Sequence, residues 1–138
     1  MSMGARLNDG INSTNGGHAR VYKFNGSLWV QMGQDLDGEY YNDQAGFDVD
    51  LSANGLVVAV GAILNDGGAP NGGHVRVFQY NENGNIWEKM GNDLDGDEPG
   101  RYFGRSLALS ADGQVLASSG SDYVLVHRYD GTAWNMLG

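Results

Sequence analysis

Apolar residues in this chain come in short runs of about five to eight residues, separated by turns rich in Gly, Asn and Asp. The central runs read FDVDLS, LVVAVGA, HVRVFQY and NIWEKMG. They are rich in Val, Phe, Tyr and Trp, which favours strands over helices. The SANG, SADG, NG and DG turns between runs are typical of hairpins. The pattern predicts an all-β chain of about eleven strands.

The two faces of these strands are both apolar. In HVRVFQY, Val75 and Val77 point to one side, whereas Arg76, Phe78 and Tyr80 point to the other. The run LVVAV is apolar at every position. Such strands suit a sheet covered on both faces. Four-stranded sheets packed face to face around an axis form β-propeller blades.

The chain repeats itself, which supports the same architecture. LSANG at 51–55 returns as LSADG at 109–113, about 58 positions later. Each full unit holds four predicted strands, A to D, and we expect about 2.75 blades, too few to close a ring. One Trp recurs in every D strand, where we expect it to fill the wedge between blades: Trp29, Trp87 and Trp134.

We predict one repeat domain over residues 1–138. Residues 1–33 form a partial blade with strands B, C and D, and 34–91 form a full blade. Residues 92–138 form a full blade with a shortened B–C loop. Since end sheets would expose apolar faces, we expect further blades, further copies or a protein partner to complete the ring.

Composition narrows the functional classes. The chain has 41% hydrophobic residues, 23 Gly and no Cys, so it can build a core but has no thiolate chemistry. Its net charge of −9 argues against nucleic acid and anionic membranes and favours a cation or a cationic partner. We expect no membrane insertion, because no run approaches the length of a bilayer span.

Short motifs resemble the FG-GAP repeat of integrin α-type propellers. They are Phe103-Gly104 before a strand, Gly61-Ala62 at the end of strand B, and GGHVRVF before strand C. The resemblance covers nearly the whole chain and implies a secreted or cell-surface blade used for adhesion. The chain departs from the family where Ala45-Gly46 replaces Phe-Gly and where GAI replaces Gly-Ala-Pro. Its A–B turns also lack the family's calcium ligands.

Acidic residues concentrate at one predicted end of the blades. In an antiparallel blade the B–C loops and the D–A connectors lie at the same end. The connectors contain DLDGE and DLDGD, whose alternating carboxylates around a turn suit Ca²⁺. Capping of the turn by these side chains is the alternative. The candidate metal ligands are Asp35, Asp37, Asp93 and Asp95.

Catalytic groups are not evident in the sequence. His18 and His74 are equivalent, but the third unit has Tyr123 in their place, which favours packing over metal binding. No nucleophile motif appears, and the loop GGAPNGG lacks the Lys of a phosphate-binding loop. We therefore expect no enzyme.

The expected function is a non-enzymatic propeller module for protein–protein contact, structural or adhesive, within a larger extracellular or cell-surface complex. The alternative is a calcium-dependent propeller that binds a carbohydrate at the acidic end. Ca²⁺ is the one cofactor candidate, a glycan is the candidate ligand, and no nucleic-acid partner is expected.

Overall fold

The computed structural model describes residues 1–9 and 14–137, and within them all regular elements are strands. The strands are β1 (Ser2–Ala5), β2 (His18–Phe24), β3 (Trp29–Gln31), β4 (Leu36–Asp37), β5 (Ala45–Leu51), β6 (Val57–Ala62), β7 (His74–Asn81), β8 (Ile86–Lys89), β9 (Leu94–Asp95), β10 (Ser106–Leu109), β11 (Val115–Ser119), β12 (Val124–Tyr129) and β13 (Trp134–Met136). In these residues no helix is long and apolar enough to cross a membrane.

Three antiparallel sheets follow one another along the chain, and we call them blade 1 (β1–β4), blade 2 (β5–β9) and blade 3 (β10–β13). Blade 2 runs β5-β6-β7-β8, with β9 also paired to β7. The predicted D strands are thus β3 and β8, and the connector after each holds a further short strand, β4 or β9, that pairs with the predicted C strand of its blade. The all-β, propeller-like fold with an incomplete set of blades is confirmed, although the described residues hold thirteen strands rather than eleven.

Blade 2 is buried on both faces, as the apolar pattern predicts. Alternate residues of β6 and β7 enter two separate cores, since successive side chains of a strand point to opposite faces. Val75 and Val77 pack with residues of blade 3, such as Leu107 and Leu116. Phe78 packs on the other side with Val21 of blade 1. The central sheet is therefore the layer to which both neighbours are attached.

The repeated Trp joins each blade to the one before it. Trp87 is 2% exposed and its indole N–H donates to the Met32 carbonyl oxygen at 2.7 Å. Trp134 is 4% exposed and donates in the same way to the Met90 carbonyl oxygen at 2.8 Å. Trp29 has no preceding blade among the described residues and is 54% exposed. The wedge role predicted for all three therefore holds for two.

Glycine lets the backbones of adjacent blades approach closely. A methyl group on Gly61 would collide with the carbonyl oxygen of Gly104 in blade 3. The equivalent pair, Gly4 and Gly46, makes the same approach between blades 1 and 2. The Phe-Gly and Gly-Ala motifs thus reflect a packing need shared by stacked sheets of this kind.

Two carboxylates tie the first strand of blade 2 to the first strand of blade 3. The Leu107 backbone N–H donates to Asp48 Oδ2, and the Leu109 backbone N–H donates to Asp50 Oδ2, both at 2.7 Å. These bonds satisfy donors on a strand edge that would otherwise lack partners. The side chains of β5 therefore form the hydrogen bonds between two sheets whose strands are not paired through their backbones at these positions.

Removal of Trp87 should destabilise the fold far more than removal of Trp29. Trp87→Ala leaves a cavity between blades 1 and 2 and an unpaired Met32 carbonyl, so we expect a loss of about 3–5 kcal/mol of unfolding free energy. Trp29→Ala, at an exposed site, should cost less than about 1 kcal/mol. Urea unfolding followed by circular dichroism measures both. Equal losses would contradict stacking through Trp87.

The close approach of Gly61 gives a second test of blade contact. Gly61→Ala forces the backbones of blades 2 and 3 apart and should cost about 1–3 kcal/mol of unfolding free energy. Gly84→Ala, in an exposed turn where only the tip of Ile86 is near, is the matched control and should change stability by less than about 0.5 kcal/mol. Thermal unfolding of both variants distinguishes these outcomes.

Candidate functional site

The B–C loops and D–A connectors meet at one end of the blades. In blade 1 the Gln44 N–H donates to the Asn15 carbonyl and the Gly38 N–H donates to the Gly17 carbonyl. In blade 2 the Tyr102 N–H donates to the Asn71 carbonyl in the same manner. We call this the loop end. Backbone hydrogen bonds thus fix the acidic connectors to the loops, as strand direction predicts.

Cluster one lies in blade 1 and consists of His18, Asp35 and Asp37. His18 is opposite Asp37 in the pairing of β2 with β4. Arg20 donates from Nε and Nη2 to the two oxygens of Asp35 at 2.8 and 2.7 Å, and Gln31 adds a third bond. Arg20 lowers the pKa of Asp35 to about 2 through these bonds. Asp35 is therefore an ionised carboxylate whose charge is balanced by Arg20 and whose two oxygens both accept hydrogen bonds.

Cluster two lies between blades 1 and 2 and consists of Glu39, His74 and Asp93. Glu39 comes from the connector of blade 1, whereas His74 and Asp93 belong to blade 2. His74 Nδ1 lies 3.7 Å from Glu39 Oε1 and 3.6 Å from Oδ1 of Asp95. The Lys89 ammonium is 2.7 Å from Asp93 Oδ1. The loop end thus gathers three carboxylates around one imidazole.

Burial sets the protonation states around cluster two. It lowers the pKa of His74 to about 4, so the imidazole is neutral at pH 7. Burial and the neighbouring Asp93 raise the pKa of Asp95 above its usual value. A neutral imidazole and a carboxylate of increased basicity are groups that can accept a proton from water.

The two clusters differ because their equivalent arginines have different partners. Arg76 of blade 2 extends to the preceding blade, where Nη2 donates to the Asp37 carbonyl at 2.6 Å. Arg20 has no preceding blade among the described residues and pairs with Asp35 of its own sheet. Asp93, the counterpart of Asp35, is therefore not paired with an arginine.

A buried carboxylate holds the connector that carries Glu39. Asp43 is 2% exposed and its Oδ2 accepts from the backbone N–H groups of Glu39 and Tyr40. The same oxygen accepts from Asn65 Nδ2 of blade 2 at 3.0 Å. This contact crosses from one blade to the next and fixes Glu39 over His74.

A cavity of about 440 Å³ opens beside cluster two and is lined by Tyr40, Tyr41, Asp43, Asp66 and Gly67. Both tyrosines are exposed, so their rings offer a surface with an apolar body and a polar tip. A methyl group on Gly67 would touch Asp95 Oδ1, which places the cavity wall against the carboxylates. A larger groove of about 670 Å³ lies at the opposite end, around Trp29, away from both clusters.

The four predicted metal ligands lie in two pairs, one pair at each cluster. Asp35 and Asp37 lie in blade 1, and Asp93 and Asp95 lie in blade 2. No observation tests Ca²⁺ binding, which stays a prediction. Sequence reasoning missed Glu39 and His74 as site residues. The available signal was the repeated His on strand C together with the repeated DLD of the connector, because pairing of the connector strands β4 and β9 with strand C places His and Asp opposite each other.

Comparison with known proteins finds a likeness in structure but not in sequence. No protein-family model matches the chain, and no curated protein matches it. A crystal structure from Bacteroides fragilis, described as a 6-phosphogluconolactonase, superposes with a TM-score of 0.61 at 19% sequence identity. The match covers 88% of this chain and 32% of that protein, so this chain spans about a third of its neighbour. At this identity the likeness shows the fold.

The resemblance to FG-GAP repeats is wrong. No family model supports it, and the structural neighbour is described as a sugar-lactone enzyme rather than an integrin-type propeller. Its physical basis was the short Phe-Gly and Gly-Ala motifs. Close approach of Gly61 to Gly104 explains these motifs without common descent.

The expected non-enzymatic function is corrected by the same finding. A neighbour described as an enzyme contradicts the adhesive or structural module, the calcium-dependent carbohydrate-binding alternative and the expectation of no enzyme. The absence of known motifs misled the sequence reasoning because the imidazole and carboxylates come from two different blades. The extracellular location and the partners that complete the ring remain predictions.

The Asp35–Arg20 pair predicts an acid-dependent change in stability. The folded pKa of about 2 lies below the unfolded value, so the pair stabilises the fold above pH 4, and this contribution is lost as pH falls towards 2. Because both side chains are partly exposed, Asp35→Asn should cost about 1 kcal/mol of unfolding free energy at pH 7. Urea unfolding at pH 7 and near pH 2.5 should show that cost shrinking. An equal cost at both pH values would contradict the pairing.

Proposed function

We propose that this chain contributes blades of a hydrolytic propeller enzyme that opens a sugar lactone at the loop end. The observation that carries the proposal is cluster two, where a neutral imidazole and carboxylates from two blades lie behind a cavity whose wall residue Gly67 approaches Asp95. The structural neighbour's description as a 6-phosphogluconolactonase supports the choice of reaction.

Lactone hydrolysis needs a base that activates water for attack on the ring carbonyl and a proton for the departing ring oxygen. Asp95 is the candidate base, because its pKa is raised and its side chain is 38% exposed. His74 Nδ1 lies 3.6 Å from Asp95 Oδ1 and 3.7 Å from Glu39 Oε1, so both groups are close to the candidate base. When the lactone opens, the proton taken by Asp95 passes to the leaving alkoxide, so atoms and charge balance.

The exposed rings of Tyr40 and Tyr41 suit a sugar. The apolar face of a sugar ring packs against an aromatic ring, while its hydroxyl groups bond to polar groups at the cavity edge. Asp66 supplies such an acceptor on the cavity wall. The loop end therefore combines a stacking surface with hydrogen-bond acceptors.

Charge favours an unphosphorylated substrate. Most of the acidic residues that give the chain its charge of −9 lie in the loops and connectors of this end. A phosphate ester would be repelled there, whereas a neutral lactone would not. We therefore expect glucono-δ-lactone to be a better substrate than its 6-phosphate.

Lactone hydrolysis by the purified chain is measurable from acid release in a pH-stat, against the spontaneous rate. We expect acceleration with glucono-δ-lactone and a decrease of about 10²-fold or more in Asp95→Asn, since a general base contributes this much. Asp130→Asn, at the opposite end of the blades, is the control and should retain the rate. No acceleration with either lactone would contradict the proposal, and preference for the 6-phosphate would contradict the assigned substrate class.

A further inference from the structure

His74 is a polar group whose burial the fold does not explain. It is 1% exposed, and its Nε2 is buried with no hydrogen-bond partner among the described residues. Its Nδ1 faces two carboxylate oxygens at 3.6–3.7 Å, longer than a hydrogen bond. A buried imidazole without hydrogen bonds costs free energy, and a group that binds Nδ1 would reduce that cost by giving the ring one partner.

The spacing around Nδ1 fits a metal ion shared with carboxylates. Bonds of about 2.1 Å at a tetrahedral angle place two ligand atoms about 3.4 Å apart. The separation of His74 Nδ1 from Glu39 Oε1 is 3.7 Å, so a shift of a few tenths of an ångström suffices. Ligand atoms of Glu39, His74 and Asp93 all lie within 4.8 Å of one another.

Asp93 can still bind a metal ion although Lys89 is paired with one of its oxygens. The Lys89 ammonium is 2.7 Å from Oδ1, which leaves Oδ2 as the oxygen that can bind an ion. Asp95, whose Oδ1 is 3.6 Å from His74 Nδ1, is a third carboxylate within reach. The surrounding charge is negative, as a divalent cation requires.

Cluster one also has one histidine and two carboxylates, but its Asp35 is not available to bind a metal ion. Both Asp35 oxygens are taken by Arg20, and Gln31 adds a further bond to one of them. Among the described residues, none from a preceding blade takes the place that Glu39 has at cluster two. The repeat therefore supplies a comparison site in which Arg20 occupies the carboxylate and the described ligands come from one blade.

We infer that Glu39, His74 and Asp93 bind a divalent transition-metal ion between blades 1 and 2, with Zn²⁺ as the best match to one imidazole and carboxylate oxygens. Hard cations such as Ca²⁺ and Mg²⁺ prefer sites built from oxygen alone. Because the ligands come from two blades, the ion would also stabilise their contact. The inference concerns the same end as the proposed lactonase site but does not depend on turnover.

The test is thermal unfolding of the metal-stripped 138-residue chain at pH 7 with Zn²⁺, Ca²⁺ or Mg²⁺. We expect saturating Zn²⁺ to raise the melting temperature by about 5–10 °C and the other two ions to change it little. Isothermal titration should give about one Zn²⁺ per chain. Since neither measurement involves a lactone, failure here is distinguishable from failure of the proposed hydrolysis.

Variants at the two clusters distinguish Zn²⁺ binding at cluster two from non-specific Zn²⁺ binding elsewhere on the chain. Glu39→Gln, at a partly exposed position, should weaken Zn²⁺ binding at least about tenfold while the chain stays folded. His74→Phe, which keeps a flat ring, should weaken it further, and His18→Phe in cluster one should leave it unchanged. If His74→Phe does not fold, Glu39→Gln decides alone. Absence of a Zn²⁺ effect, an equal effect of Ca²⁺, or unchanged binding in Glu39→Gln would overturn the inference.

Discussion

Stacking of sheets that are apolar on both faces is the constraint on which this structure depends. A blade such as blade 2 cannot face water on either side, so each interface must be filled and its polar groups paired. Trp87 does both, because its ring fills the wedge while its N–H bonds to the Met32 carbonyl. Gly61 and Gly104 allow the backbones to meet where the wedge is narrow. Each blade is thereby set in a fixed position against the one before it.

The candidate site is a consequence of that stacking. The connector leaving blade 1 crosses to blade 2 at the loop end, and Asp43 fixes it to Asn65 of the next blade. Glu39 is thereby placed over His74, which a single blade could not achieve. Both proposed chemistries of the loop end, proton transfer and metal binding, therefore need residues from two adjacent blades.

The sequence allowed prediction of the strands, the repeat and the end at which loops gather, because alternating apolar residues and Gly-Asn turns act locally. It could not distinguish cluster one from cluster two, since both carry the same His and Asp pattern. The difference arises from Arg76, which bonds to the preceding blade, whereas the equivalent Arg20 turns to Asp35. That choice depends on a neighbouring sheet, which no local pattern encodes. The family resemblance failed for a related reason, because its short glycine motifs follow from packing.

Hydrogen exchange of the three tryptophan indole N–H groups, followed by NMR, tests blade stacking most directly. Two of these groups are buried and bonded across an interface, and the third is exposed. The account predicts slow exchange for Trp87 and Trp134, close to that of the core amides, and fast exchange for Trp29. Fast exchange at Trp87 or Trp134 would show that the sheets do not stack as described, and the interblade site would then lose its foundation.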